Sequence, residues 1–256
     1  MSIVSLSIAK FTALETFHNR LLWLISSGAF VGIGIGLFGN ALAITESQEI
    51  QTAFMSSSLR FISVLIISLT VVTSISRELH DKNLDMLLSL AITRTTYFFG
   101  KIIGFSIITF FTAVVFGLCL LISATPEYIL IWSISLFCEL FIVLCFSMLC
   151  ALSLRQVPLA IIVVMGFYIL SRSIQSALLM INAPMLSTDS VVDTAMIYAL
   201  QGISYLIPDF SIFTRSEWLI YESVEWSSLS RIFLQTFSYF ILLSGASLFD
   251  FYRKSI

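Results

Sequence analysis

The sequence predicts an all-α polytopic membrane protein, and three features predict it. Hydrophobic residues make up 58% of the chain and charged residues only 11%, where soluble domains carry about a quarter charged residues. The mean hydropathy is +1.01. Six largely apolar runs, residues 21–44, 57–75, 98–124, 129–154, 158–181 and 232–251, each provide the roughly 20 residues that a helix needs to cross about 30 Å of hydrocarbon.

The first run is too long, and too far from the N-terminus, for a cleavable signal peptide, so it is expected to remain as an anchor. It contains "GIGLFG", which fits a dinucleotide fingerprint by letters alone. That motif requires a preceding strand and a βαβ unit, and neither fits a membrane span. The informative spacing is Gly28, Gly32 and Gly36, which lays small residues along one helix face and allows a second backbone to approach. The partner helix is either in the same chain or in a second subunit.

Between the second and third runs, "SISRELHDKNLDMLLSLAITRTTYFFGK" holds the densest charge in the sequence. Leu84, Leu87, Leu88 and Ala91 recur at helical spacing and form one apolar face. Glu78, Asp81 and Asp85 fall toward the start of this segment, where a helix dipole favours negative charge, and Arg94 falls near its end. Residues 77–97 are therefore expected to form a loop outside the membrane that contains a short amphipathic helix. An acidic first turn is repelled by anionic lipid, so the apolar face is expected to dock on a protein.

Two ionisable groups lie deep in the spans, Glu139 in the fourth and Arg172 in the fifth. Each sits about 15 Å below the nearer outer end at 1.5 Å per residue. Equal depth on consecutive antiparallel helices predicts an ion pair, because a charge at mid-bilayer costs about 2.5–3.5 kcal/mol even on insertion scales. The pair reads either as a clamp between helices or as a polar patch on a substrate path. Cys119, Cys138, Cys145 and Cys150 all fall in apolar runs without CxxC spacing, and read as small hydrophobes with no metal site.

Residues 182–231 form the longest connection, rich in Tyr, Trp and Phe. Such composition favours the lipid–water interface and predicts short amphipathic helices on or dipping into the outer leaflet, with a break at Pro208; a folded or loose periplasmic loop is the alternative. No internal repeat or linker divides the chain, so one domain is expected over 1–256.

Lys10, Arg20, Arg77, Lys82, Arg94, Lys101, Arg155, Arg253 and Lys254 all fall on one side of the six-span arrangement. Glu46, Glu49, Glu127, Asp189, Asp193, Asp209, Glu217, Glu222 and Glu225 collect on the other. Excess Lys and Arg marks the cytoplasmic face, so both termini are expected there. A net charge of -2 argues against nucleic acid, which requires a basic surface. No HExxH, GxSxG, GxxxxGK[ST] or paired intramembrane aspartates occur, and His18 and His80 lie far from any candidate nucleophile. The chain is thus not expected to be an enzyme or to bind a cofactor or metal.

"RELHDKNLDMLLSLAITRTTYFFGK" resembles the cytoplasmic loop of ABC type-2 exporter permeases. The resemblance places Glu78 at the acidic lead, Leu84, Asp85, Leu87, Leu88 and Ser89 in the leucine-rich core, Arg94 at the base and Gly100–Lys101 at the close. Lys82–Asn83 and Ala91 depart from the Gly-Thr and Pro common there. "IAKFTALETFHNRLLWL" is similar to the N-terminal elbow helix of that family (residues 1–20). "YLIPDFSIF" looks like a segment of permeases in the multicopper-enzyme and nitrous-oxide-reductase maturation branch.

The resemblance implies a bacterial inner-membrane exporter subunit whose loop helix is a coupling helix seated in a separate ATPase. Two ATPase chains would carry ATP and Mg. Two permease chains would form the path, expected as a homodimer with a pair of different permeases as the alternative. A secondary carrier driven by an ion gradient is a competing reading. Another is a non-transporting scaffold, or a mechanotransmitting subunit pulling on a periplasmic partner.

Overall fold

The computed structural model describes residues 3–16, 21–42, 47–80, 93–154, 156–181, 200–204, 206–221 and 226–253. Among these there is no strand. The helices are α1 (Ile3–Thr16), α2 (Leu22–Leu42), α3 (Ser47–His80), α4 (Arg94–Cys119), α5 (Pro126–Ser153), α6 (Val157–Ile181), α7 (Glu217–Ile220) and α8 (Trp226–Arg253). Six of them, α2 to α6 and α8, are long and apolar enough to cross a membrane, which makes the chain a multi-pass membrane protein.

The helix ends follow local chemistry more than hydropathy. Helix α4 starts where Thr93 caps it, its hydroxyl accepting from the Thr96 N–H at 3.3 Å. Such a cap satisfies a donor that the first turn leaves open. Helix α5 begins with Pro126 in its first turn, where the missing N–H costs nothing. Helix α3 starts at Ser47 rather than at residue 57 and runs to His80 rather than residue 75. Its polar flanks fail a hydropathy test yet continue the helix beyond the apolar run.

Helix α5 is the hub. It packs against α3, α4, α6 and α8, and 61% of its apolar stretch is buried, against 28% for α2, 28% for α6 and 22% for α8. The less enclosed helices turn residues such as Trp23, Phe30, Leu179, Leu234 and Phe249 outward, as a lipid-facing surface permits. Trp132, Phe98, Phe105 and Phe116 fill the interior.

The small-residue stripe on α2 finds its partner in the same chain. Gly28, Gly32 and Gly36 are buried against α3, and a β-carbon on Gly28 would stand 2.7 Å from Ile62 Cγ2, one on Gly36 2.9 Å from Met55 Cβ. The same device seats α1 on α4. A β-carbon on Gly104 would lie 2.9 Å from the Ala9 carbonyl oxygen and 2.8 Å from Thr12 Cβ, so only glycine permits that approach. Gly34, by contrast, faces open space.

Helix α1, the end of α3, the start of α4 and the end of α8 gather at one end of the bundle, called here the terminal end. Lys101 Nζ and the Tyr97 hydroxyl both donate to the Glu78 carboxylate. Arg94 Nη1 donates to the Phe251 carbonyl at 2.9 Å, and its guanidinium stands over the Phe251 ring at 5.6 Å. Arg77 pairs with Glu15 of α1. Glu78 thus belongs to the last turn of α3 and Arg94 opens α4; the sequence reading had placed both on a separate helix. Burial of Glu78 against Lys101 explains why an acidic residue is tolerated at a helix C-terminus, where the dipole disfavours it.

Candidate functional site: a polar clamp on a broken segment

At the opposite, far end, residues 206–221 fold back among the helices. Pro208 ends the preceding helical turn, since it lacks an N–H and clashes with a continuing helix. Asp209 Oδ1 then accepts from the Ser211 N–H at 2.9 Å and the Ser211 hydroxyl at 2.6 Å, the local turn that Asp favours. A further turn bonds the Phe213 N–H to the Phe210 carbonyl at 3.3 Å. Phe210, Phe213, Trp218 and Leu219 are buried. The aromatic contact continues into the bundle from Phe213 to Phe210, Phe167 and Phe146, whose last pair stacks at 4.0 Å.

Thr214 is the pivot of this segment. Its φ of 43° is left-handed, a conformation that a β-branched residue rarely adopts and that costs about 1–3 kcal/mol unless its surroundings enforce it. Three helices enforce it. The Thr214 N–H donates to Ser135 Oγ of α5 at 2.9 Å, and its hydroxyl donates to Glu139 Oε2. Its carbonyl accepts from Arg60 Nη1 of α3 at 2.8 Å. On the residues leading into it, Arg172 Nη1 of α6 donates to the carbonyls of Phe210 and Phe213, the latter at 3.0 Å. Ser56 and Ser216 exchange a hydroxyl bond at 2.9 Å.

The physical reason for so many polar side chains is the backbone they hold. Inside a membrane, non-helical backbone is tolerated only where protein satisfies its N–H and C=O groups. The two guanidinium groups do that for three carbonyls and Ser135 does it for an amide. Glu139, fully buried, stands within electrostatic range of Arg172 and Tyr168.

The sequence reading placed Glu139 and Arg172 at one depth, and the structure does bring them into one cluster. It does not join them as a direct ion pair among the described residues. Both grip the same segment, one by its Thr214 hydroxyl and the other by its carbonyls, because that segment lies between α5 and α6. Arg60, Ser135 and Thr214 escaped the sequence reading. Arg60 alone left a signal, a lone guanidinium four positions into an apolar run, which averaged hydropathy concealed.

Of the residues expected at an ATPase interface, Glu78 and Arg94 have the intramolecular partners given above. Asp81, Leu84, Asp85, Leu87, Leu88 and Ala91 lie outside the described residues.

Among the described residues, no three His, Cys, Asp or Glu side chains come together to hold a metal. A cavity of about 660 Å³ opens at the far end, lined by Gln48, Glu49 and Thr52 of α3, Ser123 of the α4–α5 turn, and Leu219 and Ile220 of α7. The segment before α7 is bonded to α3, α5 and α6. No family model matches the chain, and no curated protein matches it.

Proposed function

We propose that the chain is the transmembrane subunit of an ABC exporter in the bacterial inner membrane, with both termini in the cytoplasm. The terminal end, which carries the Lys- and Arg-rich connections, is the cytoplasmic face under this reading. The connection of residues 81–92 leaves from that end and docks on a separate ATPase pair, which holds ATP and Mg. A second permease chain completes the path.

One observation carries the reading. Helix α3 is a single uninterrupted rod that holds Glu78 at the root of the connection and Arg60 at the clamp, about 27 Å apart at 1.5 Å per residue. Glu78 ties the root to α4 through Lys101 and Tyr97, and Arg94 ties α4 to the end of α8. A push or pull on residues 81–92 is thus delivered to stiff helices and carried to the segment closing the far end. That segment is the outer gate in this proposal, and its hydrogen bonds to Arg60, Glu139 and Arg172 are the latch. A carrier driven by ion gradients would be expected to bind its ion at broken spans near the midplane, whereas all six spans here are continuous helices.

The test is a mild-detergent pulldown of the tagged chain with mass spectrometry of what is retained. A stoichiometric ATPase with a phosphate-binding loop is expected, and Leu87→Asp combined with Leu88→Asp should release it while leaving membrane insertion intact. Absence of any ATPase, or its normal retention by the double variant, would defeat the proposal.

A further inference from the structure

At the terminal end, α1, α2 and α3 leave a recess of about 270 Å³ between them. Leu24 and Leu69 form its apolar side, Thr70 and Thr73 line one wall, and Arg77 and Glu15 stand in it as an ion pair. Thr70 lies about 15 Å along α3 from its end at His80 and Arg77 about 5 Å, at 1.5 Å per residue. With the terminal end of the spans at the membrane surface, the recess lies where lipid headgroups meet acyl chains. A polar recess bordered by lipid is unfavourable unless polar atoms fill it.

Its chemistry specifies the filler. The Thr70 and Thr73 hydroxyls donate to the Ile66 and Leu69 carbonyls of their own helix, at 2.7 and 2.6 Å, so each presents acceptor lone pairs to its surroundings. Arg77 uses one N–H on Glu15, out of five in a fork suited to phosphate. Glu15 beside it, with about a third of its side chain exposed, has carboxylate lone pairs free to accept from an ammonium. A phosphate and a primary ammonium on one short tether satisfy both partners together, while an anionic headgroup without an amine meets Glu15 as a like charge. The volume lies below that of pockets for drug-sized ligands, which fits a headgroup with its chains outside.

We propose that this recess is a binding site for an ethanolamine phospholipid, phosphate on Arg77 and ammonium on Glu15, with an acyl chain laid along Leu24 and Leu69. The site is independent of the transport reading. It fixes the junction of α1 with α3 to the composition of the surrounding leaflet.

The experiment is native mass spectrometry of the full chain in detergent with dioleoyl phosphatidylethanolamine or dioleoyl phosphatidylglycerol. Occupancy by the ethanolamine lipid should exceed that of the glycerol lipid about fivefold, the ratio equivalent to one partly exposed ion pair. Thr73→Phe fills the recess while keeping both residues of the ion pair, and should abolish the preference with an unchanged thermal melt. Should that variant misfold, Glu15→Gln carries the test, since it should raise binding of the glycerol lipid and erase the discrimination. Equal occupancy by the two lipids, retention of neither, or wild-type selectivity in a folded Thr73→Phe or in Glu15→Gln would overturn the assignment.

Discussion

Thr214→Val is the sharpest probe of the clamp, because it keeps the side chain's size and removes only the hydroxyl. Glu139 is fully buried, its Oε1 has no hydrogen-bond partner among the described residues, and its Oε2 bonds to Thr214. The substitution therefore strips the carboxylate of its hydrogen bond from Thr214. A hydrogen bond to a charged group is worth about 1.5–3 kcal/mol, and leaving a buried charge unsatisfied adds to that, so a cost of about 3 kcal/mol is expected. With Gln at 139 the bond is between neutral groups, and the same Thr214→Val change should cost only about 1 kcal/mol. The coupling of about 2 kcal/mol between the two positions is the signature of direct contact.

Reversible unfolding in mixed micelles gives the four corners of this cycle. A loss of 3 kcal/mol corresponds to a fall in Tm of about 6–12 °C for a chain of this length. Hydrogen exchange supplies the local readout, with faster exchange expected over residues 209–215 and little change in α5 itself. Thr214→Asn, which tolerates the left-handed backbone and keeps a donor, should fall well short of the Val cost. A Thr214→Val protein within 0.5 kcal/mol of wild type, or one equally destabilised in both backgrounds, would refute the reasoning.

Lys101→Met should cost about 3–5 kcal/mol, since it strands the Glu78 carboxylate in a place where the side chain is 13% exposed, whereas Glu78→Leu with Lys101→Met should be milder than Lys101→Met alone. Melting curves of the three variants decide this, and a double variant as unstable as the single would contradict it. Gly104→Ala should destabilise by about 1–3 kcal/mol because the new β-carbon meets the rigid Ala9 carbonyl of α1. Gly34→Ala, with open space around it, should be neutral or stabilising by up to about 1 kcal/mol through helix propensity. Parallel unfolding measurements on that pair check both, and equal effects would show that α1 does not sit where described.

The six spans were legible because hydropathy is a sum over many residues, so single errors do not move it. Their ends were not legible. Polar residues such as Gln48 and Glu49 prolong α3 beyond its apolar stretch, and no average can distinguish a helix leaving the membrane from a loop. The stripe Gly28, Gly32, Gly36 announced a close helix contact but not its partner, since Met55, Leu59 and Ile62 on α3 look like any other apolar residues.

The clamp was half legible for a related reason. A charge in an apolar run stands out by its cost, which flagged Glu139 and Arg172. Their true partners are backbone carbonyls and a Thr hydroxyl, and such groups carry no mark in a sequence. The left-handed backbone at Thr214 was invisible as well, because β-branched residues are poor candidates for it and only contacts from three distant helices make it stable.

Those distances along the chain bear on how the protein is made. Glu139 and Thr214 are 75 residues apart, so at about 5–20 residues per second a ribosome needs about 4–15 s between emitting the one and the other. During that interval α5 must reside in the membrane, or at the insertion machinery, with a carboxylate whose partner does not yet exist, at a cost of about 2.5–3.5 kcal/mol if it enters lipid alone. Arg60 is already made by then and Arg172 follows. The hub helix of the finished bundle is therefore not self-sufficient during biogenesis. Nascent chains stalled before residue 214 should remain bound to the insertase, and those stalled after α8 should be released.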